Sequence, residues 1–223
     1  MGTNPSRAMV QNSPLERIKT IAAEMFADAK GSHSWEHTLR VFQLCERIGI
    51  KAGADMAVVL TAAYLHDIGR CYQDASKGRI CHAEKGAELA APLIEPLDLS
   101  KHQKENILHC IRSHRFRGRT PPRTIEARVL FDADKLDAIG AVGIARAFQF
   151  AGEVGARLHN SRSNIEDTRA YSEEDTGYRE FRVKLSKIHE RILTAEGKRL
   201  AADRHAYMCA FFDRFLAEHA GEL

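Results

Sequence analysis

Tyr64-Leu65-His66-Asp67-Ile68-Gly69 sets an imidazole beside a carboxylate at the end of the apolar run Ala57 to Leu65, just ahead of a glycine. The run reads as a buried helix, so His66 and Asp67 leave the core at its C-terminal end. Adjacent side chains on a helix point ~100° apart and cannot share one face. They can still converge on a single ion held off the helix end. A histidine with a carboxylate suits a borderline or hard divalent metal such as Mn, Fe, Ni, Co or Mg. The same dipeptide also occurs as an ordinary cap or surface pair, so its meaning depends on the rest of the chain.

Other residues of the same chemistry stand on either side. Upstream is Ser34-Trp35-Glu36-His37-Thr38-Leu39-Arg40-Val41; downstream come His82, His114 and Phe131-Asp132-Ala133-Asp134-Lys135-Leu136-Asp137. Taken alone, His37 reads first as a partly buried histidine satisfied by a backbone carbonyl. Asp134 and Asp137 lie three apart on one helical face. Asp132 falls about 200° round the helix from Asp134 and is a poor co-ligand.

Taken together, the order His, His-Asp, Asp resembles the HD-domain metal-dependent phosphohydrolase superfamily, over roughly residues 15 to 150. H-x-x-R-V, L-H-D-I-G and D-A-D-K-L-D-A-I-G-A are similar to its small stand-alone bacterial hydrolases. The resemblance implies an all-α HD-domain helical bundle in which His37, His66, Asp67 and Asp134 hold one divalent ion (Mn, Mg, Co, Ni or Fe). It implies that His82 and His114 bind a second metal or contact substrate phosphate, and that Lys135 meets phosphate while Asp137 orients ligands. Arg40, in the H-x-x-R-V motif, is a substrate contact on the same grounds. Asp67, His82 and Glu84 are the candidate acceptors of a water proton, Glu84 by its position two residues beyond His82.

The activity expected from this resemblance is hydrolysis of a phosphorylated small molecule, first of all a (deoxy)nucleoside triphosphate to monophosphate and pyrophosphate. A nucleoside monophosphatase or phosphodiesterase would use the same site. His114 is followed by Arg115-Phe116-Arg117 and not by the Gly-Tyr-Pro extension of the cyclic-dinucleotide branch. The Asp-Arg-Leu-His-Asn motif usual in (p)ppGpp hydrolases is absent as well. Two readings lie outside hydrolysis: a di-iron HD oxygenase, which the extra histidines leave open, and a non-catalytic nucleotide sensor.

Between Arg112 and Arg123 stand Arg112, Arg115, Arg117, Arg119 and Arg123, with Gly118 and Pro121-Pro122 marking a turn. It can be a solvated basic loop. It can also be a set of guanidinium forks, Arg112 and Arg117 among them, that clamp a polyphosphate better than lysine would. Phe116 is its one aromatic, so stacking along a single nucleic-acid strand has little support.

The elements that must position these groups follow from periodicity and punctuation. Residues 1–13 read as a polar tail and 14–223 as one domain. Ser13 and Pro14 open a helix carrying Leu15, Ile18, Ala22, Met25, Phe26 and Ala29, closed by Gly31. A second helix, capped by Ser32 or Ser34, turns Leu39, Phe42, Cys45 and Ile48 inward, and Asp55 caps the third. Residues 69 to 79 read as a loop beside the metal, placed to gate substrate or merely to connect. Helices starting at His82 and Lys101 follow, the latter ending at His114. His102 and His109 read as surface or packing residues. Ile125 begins a long helix with Val129, Leu130, Leu136, Ile139 and Val142 facing the core. Residues 159 to 177 read as a polar mobile loop. Tyr178 to Leu193 and Lys198 to Leu216, within C-terminal helices spanning about 176–219, cover the core or form a dimer face. The latter helix carries Ala206, Cys209, Ala210, Phe212 or Phe211, and Phe215 at helix spacing.

Strand signals are nearly absent, so the fold class is all-α. The net charge of +3 is too small for general nucleic-acid binding, and 44% hydrophobic residues is an ordinary globular value. Five scattered cysteines without a Cys-x-x-Cys argue against a disulfide framework or structural zinc site and for a reducing compartment. No apolar run reaches the ~18 residues of a membrane span. With no signal-peptide core either, the expected location is the cytoplasm.

Overall fold

The computed structural model of the protein describes residues 13–26, 35–115, 120–160 and 164–223, and among them it contains helices and no strand. The chain divides into two compact units, Met1–Ala133 and Asp134–Leu223.

The first unit begins with α1 (Pro14–Met25), whose Ser13 cap accepts from the Glu16 N–H at 3.2 Å. It ends at Met25, earlier than the spacing through Ala29 predicts; Ala29, Gly31, Ser32 and Ser34 lie outside the described residues. α2 (Trp35–Ala52) buries His37, Thr38, Val41, Leu44, Cys45 and Ile48. Leu39 and Phe42, expected inward, are only half-buried, because the inward stripe is centred on Val41 and Cys45. α3 (Met56–Leu65) is apolar nearly all round and packs against α1 and α2. Asp55 caps it by accepting from Ala57 N–H at 3.0 Å and Val58 N–H at 3.4 Å. Tyr64 locks α3 to α2 by stacking on Trp35 and Phe42, with centroids 5.8 and 4.4 Å away. Its burial, helped by Glu16 and Glu46, pushes the hydroxyl up to about 12, so it stays neutral.

After Gly69 the expected loop is instead a short helix, α4 (Arg70–Ala75), started by Arg70 N–H donating to Asp67 O at 2.9 Å. The segment lacks apolar periodicity because none of its residues is buried; local hydrogen bonds make it helical. α5 (His82–Ile94) packs against α4, α3 and α6 (Lys101–Ser113). A capping box opens α6: Ser100 Oγ accepts from Gln103 N–H, and the Gln103 amide oxygen accepts from Ser100 N–H.

α7 (Ile125–Asp137) starts in this unit and is fastened there by Glu126. One Glu126 oxygen accepts from Asp55 N–H and the other from Asn106 Nδ2, each at 2.9 Å. Burial opposes its charge, but the two donors prevail and hold its carboxyl below the usual carboxylate range.

In the second unit the helix expected to run on past Ile139 breaks. α7 stops at Asp137, Gly140 takes φ +79°, and α8 (Gly140–Glu153) sets off anew. Ile139 is buried as expected, whereas the turn leaves Val142 exposed. The described residues of the loop expected at 159 to 177, 159–160 and 164–177, are tied together by buried polar groups. Asn160 donates to Glu174 O and accepts from Thr176 Oγ1, and Arg179 joins Thr168 O to Asp175. A 3-10 turn, Ile165–Asp167, lies within it.

The single helix expected from Tyr178 to Leu193 is α9 (Gly177–Val183) followed by 3-10 turns at Leu185–Lys187 and His189–Arg191. Finally α10 (Ala195–Ala220), capped by Thr194 and closed by left-handed Gly221, buries Leu200, Ala201, Met208 and Phe212. The buried face follows Met208 and Phe212, with Cys209, Phe211 and Phe215 half-buried and Ala206 and Ala210 exposed. No helix is long and apolar enough to cross a membrane among the described residues.

Candidate metal centre

Each ligand candidate of the first unit sits at a helix end or on a buried face. His66 is the residue on which α3 stops, His114 the one on which α6 stops, and His82 opens α5. His37 lies on the buried face of α2. All four rings and Asp67 are at least 97% buried. Burying a carboxylate among imidazoles costs several kcal/mol unless it is compensated. Such an expense marks a place where function constrains the sequence.

Two glycines let these ends meet. A Cβ on Gly69 would lie 2.3 Å from His82 O and 2.6 Å from Gly86 N, both backbone atoms that cannot swing away. A Cβ on Gly86 would lie 3.4 Å from His66 O. The glycine after His-Asp is therefore the point where α5, carrying His82, is brought against the end of α3.

The hydrogen bonds then fix which nitrogen faces inward. His66 Nδ1 is 2.8 Å from Ala63 O and His114 Nδ1 is 2.6 Å from Ile111 O. A carbonyl oxygen only accepts, so both Nδ1 atoms donate and, in the neutral rings, both Nε2 atoms carry lone pairs. His82 Nδ1 is 2.8 Å from Gln73 Oε1, an oxygen that also accepts from His82 N–H at 3.4 Å. That ring is held in the same tautomer.

Asp67 sits between two histidine pairs. His82 Nε2 and His114 Nε2 are 3.1 Å apart, and each is 3.4 Å from Asp67 Oδ1. His37 Nε2 and His66 Nε2 are 3.3 Å apart, and each is 3.9 Å from Asp67 Oδ2. One carboxylate oxygen thus faces each pair. Electron-rich atoms at these separations repel one another until a cation or a proton lies among them. One ligand atom from each of Asp67, His82 and His114 falls within 4.8 Å of the others, a spacing suited to holding an ion. Imidazole nitrogen with carboxylate oxygen fits a borderline divalent ion such as Mn, Fe, Co or Ni better than an all-oxygen ion such as Ca.

Glu84, exposed, and Arg112, half-buried, pair with each other at 3.6 Å on neighbouring helices α5 and α6. Arg40 is half-buried on α2. Arg117 lies outside the described residues, as do Phe116, Gly118 and Arg119. Asp134 opens the second unit on the last turn of α7, its Oδ2 2.5 Å from the buried Lys135 Nζ. Asp137 is buried and ion-paired to Arg146 at 2.6 Å. His109 accepts from Arg123 N–H at 3.0 Å, a packing role; burial, with Arg123 and Arg112 nearby, holds it below the usual imidazole range.

Two residues escaped the sequence reading. Arg70 Nη2 is 3.3 Å from both Asp67 oxygens, and Gln73, one turn further along α4, holds His82. The i, i+3 spacing of two long polar side chains directly after His-Asp was the available signal. Cys81, at the cap position of α5, is a third neighbour, with Arg115 Nη1 3.3 Å from its sulfur. Burial raises its thiol, but the Glu84 and Ala83 N–H groups and Arg115 outweigh this and lower it below the ordinary value.

The HD domain family matches residues 34–139, the span that holds every histidine and the aspartates of this centre. Protein YpgQ of Bacillus subtilis is 34% identical over 200 residues, covering 88% of this chain and 89% of that one. The chain belongs to the HD-domain family. The structure of YpgQ in complex with ADP superimposes with a TM-score of 0.70, covering 92% of this chain and 97% of that one at 30% identity. An HD-superfamily hydrolase from an uncultured Thermotogales bacterium gives a TM-score of 0.68 at 29% identity, with 97% and 99% covered. Ribonuclease Y of Thermoanaerobacter pseudethanolicus is 29% identical over 123 residues, which are 55% of this HD chain but only 22% of that protein.

Proposed function

We propose that the protein is a divalent-metal-dependent phosphohydrolase acting on nucleotides, first of all cleaving a (deoxy)nucleoside triphosphate to monophosphate and pyrophosphate. The observation that carries this reading is Asp67, buried, with one oxygen toward each of two histidine pairs whose Nε2 atoms face it. The binding of ADP by YpgQ supports a nucleotide as the ligand.

His37, His66 and Asp67 would hold one ion, with Asp134 the further carboxylate that the D-A-D-K-L-D motif nominates. Asp67, His82 and His114 would hold a second. A bound divalent ion supplies Lewis-acid stabilisation of phosphate oxygens and a more acidic water. The protein's own part is positional and electrostatic. The backbone carbonyls of Ala63 and Ile111 hold His66 and His114 in register, and the guanidinium of Arg70 balances the Asp67 charge. In the reaction, water adds to the α-phosphorus, pyrophosphate leaves, and the water proton passes to solvent, since both Asp67 oxygens face the two ion positions. Lys135, Arg40 and Arg112 are the proposed phosphate contacts. The exposed Glu84, paired with Arg112, is better placed to tune that arginine than to accept a buried proton.

The test is a nucleotide panel assayed with Mn²⁺, Mg²⁺, Co²⁺ or Ni²⁺, with pyrophosphate and phosphate measured separately. Pyrophosphate release from triphosphates supports the first reading, and phosphate from monophosphates would replace it with a nucleotidase. The two-sided carboxylate favours one reading of another class, a di-iron oxygenase. That reading predicts two irons, an optical spectrum and no hydrolysis.

A further inference from the structure

His66, His114 and His82 of this centre are not held alike at Nδ1. His66 and His114 donate to carbonyls three residues back in their own helices, so no side-chain substitution can remove those acceptors. His82 opens its helix and has no preceding turn to lean on. Its acceptor is a side chain from another element, Gln73 of α4.

The carboxamide orientation is fixed by chemistry. The atom facing His82 also faces the His82 backbone N–H, which can only donate, so that atom is the oxygen. Gln73 is itself anchored: its carbonyl accepts from Gly78 N–H at 2.8 Å and from Ser76 Oγ at 3.0 Å. Gly78 takes φ +83°, which folds residues 76–81 back toward α5. The segment after His-Asp thus closes on itself and delivers one polar atom to the Nδ1 side of His82.

We infer that Gln73 is a positioning residue, whose carboxamide keeps the proton of His82 on Nδ1 and its Nε2 lone pair toward Asp67 and His114. Gln73 acts only through His82 and touches neither ion nor substrate. The metal consequence rests on the reading that His82 is a ligand, whereas the tautomer consequence does not. Outer partners of ligating histidines commonly change metal affinity by ~10–100-fold.

The experiment uses the full-length chain and two substitutions. Gln73→Leu keeps the approximate size and removes the acceptor; Gln73→Glu keeps an acceptor oxygen. Nitrogen-15 NMR of the metal-free protein at about pH 8, where an ordinary imidazole is neutral, reads the tautomer of His82. Calorimetric titration with Mn²⁺ reads affinity. The expected result is an Nδ1–H ring in the natural protein and in Gln73→Glu, and a mixture of tautomers in Gln73→Leu. Mn²⁺ affinity should fall ~10–100-fold in Gln73→Leu and be kept or raised in Gln73→Glu. An unchanged tautomer in Gln73→Leu overturns the inference. So does an equal loss of affinity in both variants, which would reveal a packing role alone. If the natural protein takes up no Mn²⁺ while the tautomer still follows Gln73, the metal reading fails and the positioning role stands.

Discussion

Asp67 is the residue whose removal should separate fold from function most cleanly. It lies between two pairs of imidazole nitrogens and is balanced by Arg70, so its main part is to hold a cation among them. Replacing His82 or His66 by alanine should cost metal affinity by more than the ~10–100-fold expected of an outer partner. Helical circular dichroism should persist in these variants, and calorimetry with Mn²⁺ checks the affinity. Gly69→Ala is the opposite kind of change. Its new Cβ would meet the His82 carbonyl at 2.3 Å, so the end of α3 and the start of α5 must separate. We expect a loss of ~2–3 kcal/mol in urea unfolding together with weakened metal binding. The histidines and Asp67 could be read from the sequence because their types and order carry the chemistry. Arg70 and Gln73 were not read, because the i, i+3 spacing they show does not by itself say that both side chains turn back toward the buried centre.

At the scale of elements, helix starts were the most readable feature. Ser13, Asp55 and Ser100 each accept from a backbone N–H of the first helical turn. Helix ends were harder to read where one glycine redirects the chain, as Gly140 does, or where buried polar groups satisfy one another, as Asn160, Thr176 and Arg179 do. A run of polar residues is the same string whether water or its own neighbours satisfy it. Glu126 shows how such a group joins elements and makes the joint sensitive to acid. Its carboxyl lies below the usual range in the folded chain, so its stabilisation is full above the unfolded value of about 4.3 and is lost as pH falls through the folded one. Glu126→Gln should therefore flatten the fall of Tm with pH below about 4.3 while lowering Tm at neutral pH, as thermal scans across pH would show. If the two proteins respond to acid in parallel, Glu126 is not the linkage.

For the whole molecule, the histidine cluster draws its side chains from several helices, so metal uptake should raise the melting temperature. A ligand at a hundred times its Kd stabilises by about 2.7 kcal/mol, which for a protein of this size is a shift of ~5–10 °C in Tm. Scanning calorimetry with Mn²⁺ and then with excess chelator should show that rise and its reversal. The all-helical class and the family were both readable from pattern and motif.

The most direct test is metal content and nucleotide hydrolysis measured side by side on the natural protein and on Asp67→Ala. The account predicts bound divalent metal and phosphate-ester cleavage in the first, and neither in the second, with helical content unchanged. Undiminished hydrolysis by Asp67→Ala, or by the natural protein in excess chelator, would contradict it.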